Sequence, residues 1–153
     1  MVNGTKKYGI GEIFDIKKDE KNYICVGVTW DPMDPFGAVI KIDENRNEIW
    51  NRIYGTQKVE YPVSIEVAKD GYVILSQSEG SPLNPSPCDF WVFKIDKKGN
   101  MVWSKIFGMK WSDDIPTKMV KTKDGFLLIG WTNYTDNEDD IWLIKIDENG
   151  NEI

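Results

Sequence analysis

Histidine is absent from the 153 residues of this sequence. Imidazole is the general base of Ser–His and Cys–His nucleophilic catalysis, the commonest zinc ligand, and the side chain that titrates near neutral pH. Its absence excludes the hydrolases that depend on those pairs. An enzyme built on this chain would have to use carboxylates, lysines, tyrosines or a bound ion.

Other scarcities narrow the compartment and the partners. No apolar run approaches the length of a membrane span, and the start, MVNGTKKYG, has no apolar segment of the kind that a signal peptide needs. These features predict a cytoplasmic protein without a membrane partner, or an extracellular one if the chain is a fragment of a longer surface protein. The net charge is −6 and no basic stripe is present, which argues against nucleic acid as a partner.

Cysteine is also scarce: the two cysteines are Cys25 and Cys88. They lie at non-equivalent places of the repeat described below. We therefore expect a pair of free thiols, with a structural disulfide as the alternative.

Aromatic residues, in contrast, are plentiful, with 7 Trp, 6 Tyr and 6 Phe, and they favour β-structure. The length suits a single domain. Within it, three copies of one unit align. The first anchor is YICVGVT at 23–29, YVILSQS at 72–78 and FLLIGWT at 126–132, and the second is AVIKID, WVFKID and WLIKID at 38–43, 91–96 and 142–147. The first anchors start 49 and 54 residues apart, so the period is near fifty.

Each unit predicts four short strands, A to D. Strand A alternates apolar and polar residues, as in Val63, Ile65 and Val67, and strand B is an almost unbroken apolar run typical of a strand covered on both faces. The A–B turn ends in Gly in two copies, which suits a position with positive φ, and Asn22, which tolerates that conformation, stands there in the first copy. The C–D turn has the form DENGN, where Asp caps the turn and Gly adopts positive φ; Arg46 replaces that Gly in the first copy and suggests a different turn.

Residues that recur once per unit indicate structural roles. Lys41, Lys94 and Lys145 occupy the same place in strand C, and we expect each stem to pack while the ammonium meets a carboxylate. Trp50 and Trp103 recur in strand D and predict packing between units.

Four antiparallel strands repeated at this spacing are typical of β-propeller blades. The text DGYVIL…DFWVFKIDKKGNMVWSKIFG resembles the propeller repeats common in archaeal and bacterial proteins, and is more loosely similar to quinoprotein-type repeats. The resemblance implies an all-β propeller fold and no particular activity. It places blade one at about 10–55, blade two at about 59–108, and blade three at about 112–153 together with a strand at 2–9.

That last strand comes from the opposite end of the chain. Blade three lacks its own strand D, while Tyr8–Gly9 aligns with Tyr54–Gly55 and Phe107–Gly108. Three blades are too few for a closed ring, whereas two copies supply six. We therefore expect a homodimeric six-bladed propeller in which the N-terminal strand of one chain completes blade three of the other. The alternatives are a trimer and a piece of a longer propeller.

The B–C and D–A loops differ between units and lie on one face, where binding usually resides. Aromatic side chains stand beside carboxylates there, and the candidate ligand-binding residues are Trp30, Asp31, Asp34, Phe36, Trp111, Asp113, Tyr134 and Asp136. Loop packing is the competing interpretation of these aromatics, and Trp131, further back in strand B, is expected in the core. Polar residues of strand A are expected near the central channel: Asp15, Lys17, Ser64, Glu66 and Lys118.

Three functions follow as hypotheses. The first is a non-enzymatic binding or scaffold propeller without catalytic residues, cofactor or metal, whose partners are itself and a protein or glycan. The second is a carbohydrate-binding propeller, because sugars stack on aromatic rings and bond to carboxylates. The third is a glycosidase or lyase that acts through paired carboxylates. The acidic run TDNEDD at 135–140 lacks the spacing of a calcium loop.

Overall fold

The chain is all β in its described parts, as predicted. The computed structural model describes residues 5–8, 11–31, 34–55, 59–79, 87–133 and 138–153, without the side chains of residues 30, 31, 34 and 35. None of these residues belongs to a helix long and apolar enough for a bilayer crossing. The strands are β1 (Gly11–Asp19), β2 (Asn22–Asp31), β3 (Asp34–Ile42), β4 (Glu48–Tyr54), β5 (Val59–Val67), β6 (Gly71–Glu79), β7 (Asp89–Asp96), β8 (Met101–Phe107), β9 (Asp114–Thr122), β10 (Gly125–Thr132) and β11 (Asp140–Ile146).

Consecutive strands pair antiparallel into three sheets. Sheet one has the order β1-β2-β3-β4, sheet two β5-β6-β7-β8, and sheet three β11-β10-β9. Sheet two lies in the middle, because β5 contacts β1, β2 and β3 on one side and β9 on the other. The first strands β1, β5 and β9 therefore neighbour one another in series.

Two apolar clusters hold the sheets together. One joins sheet one to sheet two, and the other joins sheet two to sheet three. Sheet two is covered on both faces, which explains why its strands β6 and β7 are almost continuously buried. The fully buried large side chains include Ile24, Tyr72, Phe93, Phe126 and Leu128.

The first strand of each sheet, β1, β5 or β9, contains a register shift at the same place. The alternation in the sequence did not predict these shifts. The shifts lie between Ile13 and Asp15 in β1, between Pro62 and Ser64 in β5, and opposite Ile129/Gly130 in β9. The predicted alternation through Val63 and Ile65 is therefore wrong. Because Val63 is the extra residue of a bulge, it packs in the cluster with sheet three, whereas Ile65 packs toward sheet one.

The C–D turns are alike in all three sheets, so the different turn expected at Arg46 is wrong. Arg46 adopts φ 66°, close to the φ of 87° at Gly99 and 77° at Gly150. Its N–H donates to the carbonyl of Asp43 at 2.9 Å, as the N–H of Gly99 donates to that of Asp96 at 3.0 Å. The predicted aspartate cap is confirmed, because Asp43 accepts the Asn47 N–H at 2.7 Å and Asp96 the Asn100 N–H at 2.9 Å.

In the first A–B turn, the residue with positive φ is not the one that the alignment predicts. Asn22 aligns with the glycines that end the other two turns, but the residue with positive φ is Glu20, at 54°. Asn22 instead begins β2 and pairs with Asp19. Alignment with Gly therefore did not identify the residue in the left-handed region.

The recurrent tryptophans and cysteines behave as predicted. Trp50 Nε1 donates to the carbonyl of Lys97 at 3.2 Å, and Trp103 Nε1 donates to that of Glu148 at 3.3 Å, so each indole docks on a turn of the following sheet. Cys25 and Cys88 are free thiols.

Candidate functional site

Of the eight predicted ligand-binding residues, three have described side chains, namely Phe36, Trp111 and Asp113. Trp30, Asp31 and Asp34 lie at the paired ends of β2 and β3, with their side chains outside the description. Tyr134 and Asp136 lie outside the described residues. Phe36 is half-buried and pairs with Thr29 on β2. A ligand role at all six positions stays a prediction.

Trp111 is the described residue that best matches a binding role. It stands in the loop between β8 and β9, its side chain is 83% exposed, and its backbone has φ 70°. The Lys110 ammonium lies 5.2 Å from the centre of the indole ring. An exposed indole held out on a left-handed residue offers a flat apolar surface for stacking, with a cation beside it.

Asp113, the predicted neighbour of Trp111, ties loops together. Its carboxylate accepts the N–H of Cys88 at 3.2 Å, and its own N–H donates to Asn133 Oδ1 at 2.7 Å. The Asn133 N–H in turn donates to the carbonyl of Asp113 at 3.2 Å. Asp113 thus connects the segments before β7 and after β10, and a structural role accounts for its position.

Asp114 shapes the same loop from inside. Its carboxylate is fully buried and accepts the N–H of Met109 at 2.6 Å and the hydroxyl of Ser112 at 3.0 Å. It pairs with Thr132 on β10, as Glu60 pairs with Ser78 on β6. A carboxylate at the start of strand A opposite a hydroxyl in strand B was therefore a detectable signal, and the sequence analysis did not use it.

A shallow cavity of about 350 Å³ adjoins the exposed indole. Its walls include Pro87, Ile106, Met109, Lys110 and Trp111, with Asp89 at the edge. Apolar walls, one ammonium and one carboxylate are suited to binding a ring that carries polar groups.

Polar residues of the first strands β1, β5 and β9 lie close together. Asp15 on β1 accepts hydrogen bonds from Ser64 Oγ at 3.2 Å, from the Ile65 N–H at 3.0 Å and from Lys118 Nζ at 2.9 Å. One carboxylate therefore links all three sheets. Burial raises the pKa of Asp15, but the bonds from Lys118 and Ile65 outweigh it and hold the pKa below its usual value.

Lys17 and Glu66 form the next pair along these strands, with Nζ 3.0 Å from Oε1. The groups expected to approach the central channel are thus paired with one another. This arrangement serves cohesion between the sheets, because each charge is neutralised by a neighbouring strand.

The recurrent strand C lysines each meet an aspartate in or next to an A–B turn, which confirms their predicted structural role. Lys41 Nζ lies 3.2 Å from Asp19, Lys94 Nζ 2.7 Å from Asp70, and Lys145 Nζ 2.9 Å from Asp124. Asp70 and Asp124 occupy equivalent turn positions, whereas Asp19 ends β1 at the position of Ala68 and Thr122.

Asp19 has the most partners of the three aspartates. Its buried carboxylate also accepts the hydroxyl of Tyr72 and, at 2.7 Å, Lys97 Nζ from the C–D turn of sheet two. The Lys97 ammonium lies 4.6 Å from the centre of the Tyr72 ring. This cluster joins sheet one to sheet two through two cations, one carboxylate and one phenol.

Trp131 lies on the outer face of sheet three, away from sheet two, where it is half-buried and opposite Ile141. The expectation that it belongs to the core is wrong for the single chain, because neither apolar cluster of the described residues contains it.

No family model and no curated protein matches the chain, so the function has to be argued from its own residues.

Proposed function

We propose that the chain is a non-enzymatic scaffold of the β-propeller type, which assembles with a second copy of itself and binds its ligand with the loops at one end of the sheets. The supporting observation is the position of residues 5–8. These residues lie against the C–D turn of sheet one, where Tyr8 Oη donates to the carbonyl of Arg46 at 2.5 Å and Lys6 Nζ donates to Asn47 Oδ1 at 2.9 Å.

The same contacts recur between sheets of the chain. Tyr54 on β4 donates to the carbonyl of Gly99 on sheet two at 2.6 Å, and Lys105 on β8 donates to Asn151 beyond sheet three at 2.7 Å. Gly99 and Arg46 are equivalent turn residues, as are Asn151 and Asn47. Residues 5–8 therefore stand before sheet one as β4 stands before sheet two, in the place of the outermost strand of a preceding sheet.

In sheet three, the free edge of β11 is the place where such an outermost strand would pair. Its described strands have the order β11-β10-β9, which leaves β11 at the edge. Glu152 bridges to Ile146, and the Ile153 N–H donates to the carbonyl of Lys145 at 3.0 Å, so a fourth strand starts on β11. Residues 5–8 of a second copy would continue that strand and satisfy the edge.

A scaffold fits the polar groups better than an enzyme does. The carboxylates of Asp15, Asp19 and Asp113 are engaged in bonds that connect sheets or loops. These groups hold the framework rigid, and a rigid framework that presents variable loops is a binding architecture.

The test is the mass in solution by sedimentation over a range of concentrations. We expect twice the 17.6 kDa of one chain. The double variant Lys6→Ala/Tyr8→Phe should shift the equilibrium toward the single chain, since both hydrogen bonds that hold residues 5–8 are removed. Lys105→Ala is the matched control: it breaks the equivalent bond inside the chain and should leave the mass unchanged. A folded protein that stays at 17.6 kDa throughout contradicts the proposal.

Carbohydrate is a second candidate function, favoured by the exposed Trp111 and the adjoining cavity. A sugar ring would stack on the indole while its hydroxyls meet Lys110 and Asp89. Binding on a glycan array should be lost in Trp111→Ala and largely kept in Trp111→Phe, which retains a stacking surface. An array without signal for the unaltered protein would eliminate this candidate.

A further inference from the structure

The two terminal faces of the three-sheet stack are apolar and chemically different. The outer face of sheet one, turned away from sheet two, carries Ile13, Ile16, Cys25, Ala38 and Ile40, which the strand register places side by side. The outer face of sheet three, turned away from sheet two, carries Leu127, Ile129, Trp131, Ile141 and Leu143. The opposite faces of both sheets pack in the two apolar clusters.

Residues exposed on these outer faces have fully buried counterparts elsewhere in the repeat. Ile16 is 53% exposed, yet its counterparts Ile65 and Met119 are fully buried. Leu143 is 56% exposed, whereas Val39 and Val92, its counterparts, are fully buried. The repeat thus places apolar side chains at positions that a neighbouring sheet covers, and among the described residues no sheet covers either outer face.

We propose that the outer face of sheet one receives the outer face of sheet three of a second copy, with Ile141 seated over Ala38. This inference rests on the proposed self-assembly and specifies which surfaces meet. A contact inside the chain indicates the pairing: the rings of Phe90 and Trp142 lie 5.0 Å apart between sheets two and three. Phe90 is the counterpart of Ile141, and Trp142 is the counterpart of Ala38.

Residue sizes at the two faces are complementary. Sheets two and three carry Trp91 and Trp142 where sheet one carries Ala38, and a cavity of about 350 Å³ lies on that outer face. Its walls include Ile13, Cys25, Ala38, Ile40 and the ring of Tyr8.

The face that would enter this cavity is correspondingly enlarged. Trp131 stands where sheets one and two carry Val28 and Gln77. It lies opposite Ile141, which is 82% exposed, so the two side chains form one protruding apolar patch. The indole missing at Ala38 is thus supplied from the other side of the contact, which suits a close-packed joint between unlike faces.

Both faces belong to every copy, so the contact is head to tail. Two chains would make it twice, and the N-terminal residues 5–8 of each would lie at the rim beside the β11 of the other. A second copy is the occupant that the observations favour, because the entering and receiving faces are found on the same chain and complement each other in size.

The experiment is sedimentation of two variants that leave the core untouched. Ala38→Trp fills the cavity with the residue that the other two sheets carry there, so the sheet tolerates it. Ile141→Lys places a charge on an exposed side chain. Each is expected to weaken self-association by roughly tenfold or more, as blocking an interface anchor does. Circular dichroism and the denaturation midpoint at low concentration verify that both variants fold.

A mixture of the two variants provides the decisive measurement. A head-to-tail pair of Ala38→Trp with Ile141→Lys contains one contact with both changes and one contact with neither, so mixing should restore part of the association. Dimeric single variants, or a mixture that shows no recovery, would overturn the pairing of these faces while leaving self-assembly intact. A single-chain mass for the unaltered protein would overturn self-assembly, and this inference with it.

Discussion

The carboxylate of Asp19 is the group whose removal should harm the fold most clearly. It is 8% exposed and receives Lys97 Nζ at 2.7 Å, Lys41 Nζ at 3.2 Å and the Tyr72 hydroxyl. Asp19→Asn keeps the size of the side chain but leaves Lys41, itself 10% exposed, without its counter-charge. We expect the free energy of unfolding at pH 7 to fall by about 3 kcal/mol, the low end for a broken buried pair, because Lys97 can turn toward water.

The pKa of Asp19 supports this magnitude. Burial raises the pKa, but the hydrogen bonds from Lys97, Tyr72 and Lys41 lower it from 3.8 to about 2. Each pKa unit corresponds to about 1.4 kcal/mol, so the folded state gains roughly 2 to 3 kcal/mol from the ionised carboxylate. Since the pKa is lower in the folded state, this gain is complete well above pH 3.8 and is lost as the pH falls through 2.

Urea denaturation followed by tryptophan fluorescence, at one fixed chain concentration, measures both effects. The difference between the unaltered protein and Asp19→Asn should be largest at pH 7 and should shrink as the pH approaches 2. Asp124→Asn is the matched control, because Asp124 pairs with Lys145, the counterpart of Lys41, where the two side chains are 55% and 41% exposed. It should cost much less than Asp19→Asn, because ion pairs between exposed side chains contribute little to stability. Equal losses in the two variants, or a difference that does not depend on pH, would refute the reasoning.

Two further predictions concern the C–D turns. Arg46→Gly should stabilise the fold by about 0.5 to 1 kcal/mol in denaturation measurements, because glycine adopts φ 66° without the steric cost of a side chain; a loss of stability would show that the arginine side chain has a larger role. Gly150→Ala should destabilise by about 2 kcal/mol or more, since the new Cβ would lie 2.8 Å from the Trp103 ring on a backbone at φ 77°. A neutral result would mean that the ring of Trp103 moves easily.

Much of the fold could be predicted from short-range patterns in the sequence. The period near fifty, the four strands of each unit and the capped turns follow from alternation, Gly placement and Asp spacing, which are local properties of the chain. Lys41, Lys94 and Lys145 were predictable as structural residues because they recur once per unit.

The wrong predictions concern features that strand pairing and turn contacts determine. The pairing of β5 with β6 fixes the bulge at Val63, and the contacts of the C–D turn fix the left-handed conformation of Arg46. These interactions outweigh the local preferences of the two residues. Of the candidate site, the sequence indicated the loop end and Trp111. The bonds that tie Asp113 to distant loop segments are not visible in the sequence, because its partners Cys88 and Asn133 come from elsewhere in the chain.

The sequence by itself determined that the protein consists of three β-units with equivalent packing positions, because each unit repeats the same apolar and turn residues. Only the tertiary structure decided which of those positions remain uncovered. Ile16, Ile141 and Leu143 are exposed because three stacked sheets have two ends, a property of the whole arrangement and not of any single unit.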